Sequence, residues 1–176
     1  MSFVMIQYVN NCVVYMYTCG ISHKSYSAAL QSAVMMRGAG GNRWGRDEYD
    51  PSLPEVIGNQ DQLIQVFLNI IKNAIEAMPE GGKLTVMTRM SDLFTTVQAD
   101  GKKHQLMVAK VSDTGPGIKP EHLQDIFTPF FTTKARGVGL GLALSYQIVQ
   151  EHLGTIRVES HENEGTTFSV YLPLAG

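Results

Sequence analysis

The sequence predicts a two-layer α/β sandwich, a mixed and mainly antiparallel sheet covered on one face by about three helices. Three observations carry this. An amphipathic helical stretch follows Asn59, two pairs of alternating segments with turn signals come after it, and no strand-helix-strand unit repeats as a doubly wound parallel sheet requires. The 176 residues, 44% hydrophobic with a formal charge of −2, supply one good core and room for an appendage.

Residues 1–45 form an N-terminal segment of unassigned role, 46–60 a connector and 61–176 the main domain. Within the first, Val13-Val14-Tyr15-Met16-Tyr17 suits a strand, and Ala28, Leu30 and Val34 follow a weak helical pattern. The stretch from Phe3 to Ile21 is apolar, but Gln7, Asn10, Asn11 and Gly20 interrupt it and no cationic region precedes it, which argues against a spanning helix. Arg37-Gly38-Ala39-Gly40-Gly41-Asn42 reads as a linker too rich in glycine for a helix or strand. Asp50-Pro51-Ser52-Leu53-Pro54 reads as an extended connector.

The first strong helix is capped by Asn59, with Gln62 reaching back in a variant capping box, and runs to about Met78. Leu63, Val66, Phe67, Ile70, Ile71, Ala74, Ala77 and Met78 fall on one face, and Pro79-Glu80-Gly81-Gly82 stops it. Lys83 to Met90 and Gln105 to Ser112 alternate as strands of an antiparallel hairpin, with Asp100-Gly101 as the turn signal. A short helix starts at Pro120. Another spans Leu142 to His152 and ends at Gly154 as C′ glycine. Thr155 to Ser160 and Thr166 to Leu172 close the domain as a hairpin around Asn163-Glu164-Gly165.

Charge and cysteine content exclude several function classes. No basic stripe points to nucleic acid as a partner. Cys12 and Cys19 lack a second pair for a metal module or disulfide scaffold, so a reduced, cytoplasmic setting fits.

Three clusters carry chemistry. The first helix bears Gln65, Asn69, Lys72, Asn73 and Glu76 on its polar side; a solvated face is the plain alternative, but an Asn oxygen also suits Mg²⁺. Asp113-Thr114-Gly115-Pro116-Gly117-Ile118 follows a strand directly. It is either a glycine turn with a capping aspartate or a site where a carboxylate accepts from an exocyclic amine. Gly137-Val138-Gly139-Leu140-Gly141-Leu142 opens into a helix, as a flexible loop or as a phosphate cradle, with Lys134 and Arg136 placing positive charge beside it.

Taken together and in order, these clusters resemble the ATPase domain of sensor histidine kinases, within the wider family that includes gyrase, Hsp90 and MutL. The N box resembles Asn69-Ile70-Ile71-Lys72-Asn73-Ala74-Ile75-Glu76-Ala77, and the first glycine box Asp113 to Ile118. The F box is similar to Ile126-Phe127-Thr128-Pro129-Phe130-Phe131-Thr132-Thr133-Lys134, the second glycine box to Gly137 to Leu142, and the closing strand to Gly165-Thr166-Thr167-Phe168 with Tyr171-Leu172-Pro173. Asn73-Ala74-Ile75-Glu76-Ala77-Met78, the Phe130-Phe131-Thr132-Thr133-Lys134 run, the very short lid before Gly137 and the Asp50 to Pro54 entry segment look most like the nitrogen-regulation (NtrB-like) class.

The resemblance implies a Bergerat ATP-binding fold with ATP and Mg²⁺ as cofactors. Asp113 would accept from the adenine amino group, Gly115, Gly117 and Ile118 would shape the base pocket, and Thr166 would close its far side. Asn73 would bind Mg²⁺ with Asn69 nearby. Lys72, Lys134 and the backbone amides of Gly137, Gly139 and Gly141 would contact phosphates, Phe131, Thr132, Thr133, Val138, Leu140 and Leu142 would also belong to the ATP site, and Asn69, Lys72 and Asn73 would be the catalytic residues. It implies transfer of the γ-phosphoryl to a histidine on a dimerisation domain and onward to a response regulator. Homodimerisation would run through a missing or N-terminal segment. Relatives that hydrolyse ATP carry a glutamate where Asn69 stands, and a neutral amide is a poor general base. The phosphoryl group should therefore wait for a protein nucleophile.

The acceptor histidine of such kinases sits upstream in a motif like H-E-x-x-N-P. Ser22-His23-Lys24-Ser25-Tyr26 lacks the acidic neighbour, the asparagine and the proline, so His23 is not expected to accept phosphate. His104, His122, His152 and His161 read as solvated. Two other readings stay open, a nucleotide-binding regulatory module without transfer and a serine kinase of the anti-sigma type.

Overall fold

The computed structural model describes residues 2–9, 12–18, 34–38, 45–48, 53–54, 56, 58–96, 103–134 and 137–174. His23, Arg136 and the Asp100-Gly101 turn lie outside them. The main sheet has five strands in the order β4-β5-β6-β8-β7, formed by β4 (Gly45–Glu48), β5 (Leu84–Thr96), β6 (Lys103–Asp113), β7 (Thr155–His161) and β8 (Gly165–Pro173). Every pairing is antiparallel except β4 with β5, which makes the sheet mixed and mainly antiparallel as expected. Two α-helices, α1 (Gln60–Ala77) and α2 (Gly141–Glu151), contribute to its core; the third expected helix is a single 3-10 turn at Pro120–His122 with the proline in its first turn.

Asn59 caps α1 as expected, its side-chain oxygen accepting from the Gln62 N–H. The reciprocal half of the capping box is replaced: the Asn59 N–H donates to His152 Nε2 at 2.8 Å, which ties the start of α1 to the end of α2. The buried side of α1 is Leu63, Val66, Phe67, Ile70, Ile71, Ala74 and Ile75. It packs on Leu84, Val86, Met107, Ala109, Val111, Phe168, Val170 and Leu172 from the sheet, with Ile148 and Val149 from α2 completing the core. Alternate strand residues thus share one apolar face, as the pleat requires. Ala77, expected in the core, is only half-buried and faces the Gly115 loop.

Several expectations are corrected. Both arms of the first hairpin outrun their predicted ends, and the register shift between Met90 and Phe94 explains why alternation breaks before the strand does. Part of the expected connector is strand β4, an edge strand whose charged Arg46-Asp47-Glu48 masks it. In the N-terminal segment, β1 (Ser2–Val9), β2 (Cys12–Thr18) and β3 (Val34–Gly38) form an antiparallel sheet in that order. Val34 therefore lies in a strand rather than a helix, and Arg37 and Gly38 end that strand rather than open a linker.

Gly154 is not the left-handed residue after α2. Leu153 takes that role with φ 58°, while a Cβ at Gly154 would stand 2.3 Å from the Tyr171 carbonyl oxygen, so close approach is what demands glycine there. Among the described residues no helix is long and apolar enough to cross a membrane.

Candidate functional site

Helix α1 acts as a ruler along which the sequence clusters assemble. Near its middle, Asn69 Nδ2 donates to the Gly141 carbonyl at 3.1 Å and to Ser145 Oγ at 3.2 Å. One turn on, Asn73 Oδ1 accepts from Lys134 Nζ at 2.8 Å, and Glu76 Oε2 pairs with the same ammonium at 2.5 Å. Lys72 lies 3.9 Å from the other Glu76 oxygen. At the C-terminal end, a Cβ on Gly115 would sit 3.2 Å from the Ala77 Cβ. The N box therefore touches the second glycine box, the F box and the first glycine box in succession. Steps of three and four along one helix place those contacts in a row.

Asp113 ends β6 and is 8% exposed. Burial raises its carboxyl pKa above the usual carboxylate value, and backbone N–H groups of Gly115 and Thr166 partly offset the rise by stabilising the charged form. The Gly115 N–H lies 2.9 Å from Asp113 Oδ1. Gly117 has φ 72°, and a Cβ there would approach the His161 carbonyl oxygen to 2.1 Å, so only glycine lets this loop lie on the β7–β8 turn. Thr166 is buried directly opposite Asp113 in the β6–β8 ladder. Opposed residues of a ladder share a face, which brings the aspartate, the glycine loop and the threonine to one end of the sheet.

The F box and second glycine box close on one another. The Phe130 N–H donates to the Gly139 carbonyl at 2.9 Å, and both residues have positive φ, 69° and 71°. Thr132 Oγ1 accepts from the Lys134 N–H at 3.1 Å and would stand 2.5 Å from a Cβ on Gly137. Thr133, Val138 and Leu140 are exposed, whereas Phe131 and Leu142 pack partly against the core, and the Phe131 ring meets the His122 ring at a tilt of 57° with centroids 5.5 Å apart. Helix α2 begins at Gly141, and its capping residue Leu140 offers no side-chain acceptor to the first-turn N–H groups.

Some site residues were not foreseen. Ser145 and the Gly141 carbonyl hold Asn69, and Ser160 bonds Ile118, Gly165 and Thr166. The predicted hairpin register contained a pointer to Ser160, since a turn at Asn163 sets it opposite Thr166. The histidines need a correction. His104 is buried and bonds the Leu174 carbonyl, and His152 accepts from Asn59 at Nε2 while its Nδ1 meets the Ile148 carbonyl at 2.7 Å. Among the described histidines, His161 alone is exposed.

Known proteins are similar to this chain in sequence and in fold. The chain is 44% identical over 131 residues to the sensory histidine kinase/phosphatase NtrB of Azospirillum brasilense, covering 73% of this chain and 32% of that protein. It is 44% identical over 122 residues to sporulation kinase E of Bacillus subtilis (strain 168), covering 69% of this chain and 15% of that one. The chain thus spans about a third or less of these curated relatives. Among solved structures, the catalytic domain of histidine kinase ThkA superposes with a TM-score of 0.59 at 34% identity, covering 74% of this chain and 78% of that one. The mycobacterial sensor histidine kinase MprB does so with a TM-score of 0.58 at 29% identity, covering 74% and 82%. Residues 58–176 match the family described as histidine kinase-, DNA gyrase B-, and HSP90-like ATPase, and the chain belongs to that family.

Proposed function

We propose that this chain is the donor half of a cytoplasmic phosphorelay of the nitrogen-regulation type. It binds Mg-ATP and passes the γ-phosphoryl to a histidine on a dimerisation domain, from which a response regulator takes it. The observation that carries this reading is the convergence on α1: the buried Asp113 with its glycine loop at one end, the Asn73, Lys134 and Glu76 group in the middle, and the uncapped start of α2 held by Asn69. The proposed donor domain is 61–176, with 46–60 as its connector.

The residues fit the cofactor. Asp113 is a buried acceptor beside a glycine loop, suited to an exocyclic amine. Asn73 Oδ1 already faces a cation, and an amide oxygen beside a carboxylate is a hard donor set that suits Mg²⁺. The glycine-rich approach and the start of α2, which has no side-chain cap, suit phosphate oxygens, with Lys72 and Lys134 adding charge. Mg-ATP, when bound, supplies the activated phosphoryl group and neutralises part of its charge.

What the chain itself contributes is position and charge. Asn69 uses its amide to hold the Gly141 carbonyl and Ser145, fixing where α2 begins, and as a neutral group it activates no water. Catalysis then rests on alignment and electrostatic stabilisation, with the acceptor histidine as nucleophile. The test mixes the chain with labelled ATP, Mg²⁺ and a separate dimerisation domain carrying an acceptor histidine. Acid-labile label on that domain is the expected result. Nucleotide binding without any label on histidine would instead favour a regulatory module, and label on serine a kinase of the anti-sigma type.

A further inference from the structure

Asp113, Thr166 and Ser160 form one cross-strand row. Thr166 stands opposite Asp113 in the β6–β8 ladder and opposite Ser160 in the β7–β8 ladder, so all three side chains belong to the same sheet face. Ser160 Oγ has three partners. The Ile118 N–H lies 2.8 Å away, the Gly165 carbonyl 3.0 Å and Thr166 Oγ1 2.9 Å.

A serine hydroxyl carries one proton and two acceptor lone pairs. The Ile118 N–H can only donate and the Gly165 carbonyl can only accept. All three contacts are made together only if Ser160 donates to Gly165 and Thr166 donates to Ser160. The Thr166 proton is then turned toward Ser160, and what remains on its oxygen for the pocket is lone pairs. Beside it, an ionised Asp113 is acceptor-only as well.

We propose that Ser160 is a positioning residue that fixes the polarity of the base end of the pocket, so that it accepts an amino group and rejects a carbonyl at the same place. The inference rests on the nucleotide reading above and extends it to base selectivity. The same hydroxyl anchors Ile118, the last residue of the first glycine box, so Ser160 joins that loop to the strand that faces it. Without Ser160 the Thr166 hydroxyl is released to rotate and donate, and a carbonyl then finds a partner.

Calorimetric titration of the whole chain with ADP and with inosine diphosphate, which carries a carbonyl in place of the amine, tests this. The wild-type chain is expected to favour ADP. Ser160→Ala should narrow that preference by roughly fivefold to tenfold, the worth of about one net hydrogen bond, and Ser160→Thr should restore it. Equal weakening of both ligands by Ser160→Ala, or an unchanged ratio, would overturn the inference. If circular dichroism shows that Ser160→Ala does not fold, Thr166→Val decides: it should narrow the ratio too, and an unchanged ratio overturns the inference. Failure of the wild-type chain to bind either ligand would remove the nucleotide reading itself, a different outcome from binding without selectivity.

Discussion

The two ends of the candidate site are built differently. At the base end, Asp113, Thr166 and Ser160 sit in adjacent strands, with Asp113 8% and Thr166 6% exposed, and their partners are fixed by ladder register. At the phosphate end, the residues lie on a connection between a 3-10 turn and α2, with Phe130 71% and Val138 68% exposed. Strand register holds side chains to fixed positions, whereas an exposed loop is held by a few contacts such as Phe130 to Gly139 and Lys134 to Glu76. On the proposed reading, selectivity belongs to the sheet and phosphate handling to the loop. Substitutions at the two ends should behave differently, and they can be ranked.

The largest effect is expected at Asp113. Asp113→Asn should weaken ADP binding by about 2–3 kcal/mol, roughly 30- to 150-fold, because a charge-assisted acceptor is lost in a buried site. The same substitution should stabilise the empty fold. Burial raises the native carboxyl pKa above 3.8, so the folded chain holds this proton more tightly than the unfolded one, and Asp113 costs stability as pH rises through its raised value. The advantage of the variant in thermal melts should be small below pH 3.8 and grow as pH rises through the native value. An advantage that shrinks with rising pH would contradict this account.

Glycine substitutions sharpen the comparison. Gly117→Ala meets the His161 carbonyl oxygen in a positive-φ conformation and should cost about 2 kcal/mol or more in global stability, measured by urea unfolding. Gly139→Ala is equally strained, with Phe130 backbone 2.5 Å from its Cβ, yet its loop can give way. It should leave the urea midpoint nearly unchanged and instead speed proteolytic cleavage between Phe130 and Gly141. Equal losses of global stability at both positions would erase the distinction between the ends.

The smallest effect is expected from Lys134→Ala. Its pair with Glu76 is partly exposed, so stability should barely change, while affinity for ATP should fall more than affinity for ADP, by about threefold, as suits a cation meeting the terminal phosphate. Binding assays with both nucleotides check this.

Much of the architecture was legible because it is periodic. The apolar rows of α1 and the alternation of β6 and β8 state their own faces, and Asn59 and Pro79 mark the ends of the helix. What stayed hidden depends on partners distant in sequence. Strand β4 reads as a charged connector because its stabilising ladder lies beyond α1. Gly154 looks like a helix stop when it is a site of close approach to Tyr171, and His152 looks solvated when both ring nitrogens are engaged. In the site, the glycine boxes and Asp113 stood out by composition. Ser160 and Ser145 did not, since a single serine becomes informative only once strand register or a helix crossing supplies its neighbours.

The most direct measurement is a crystal structure of the chain with Mg²⁺ and a non-hydrolysable ATP analogue. The adenine amino group is expected on the Asp113 carboxylate, the metal on Asn73 Oδ1 and the phosphates at the start of α2. An adenine seated away from Asp113, or a metal with no contact to Asn73, would contradict this placement.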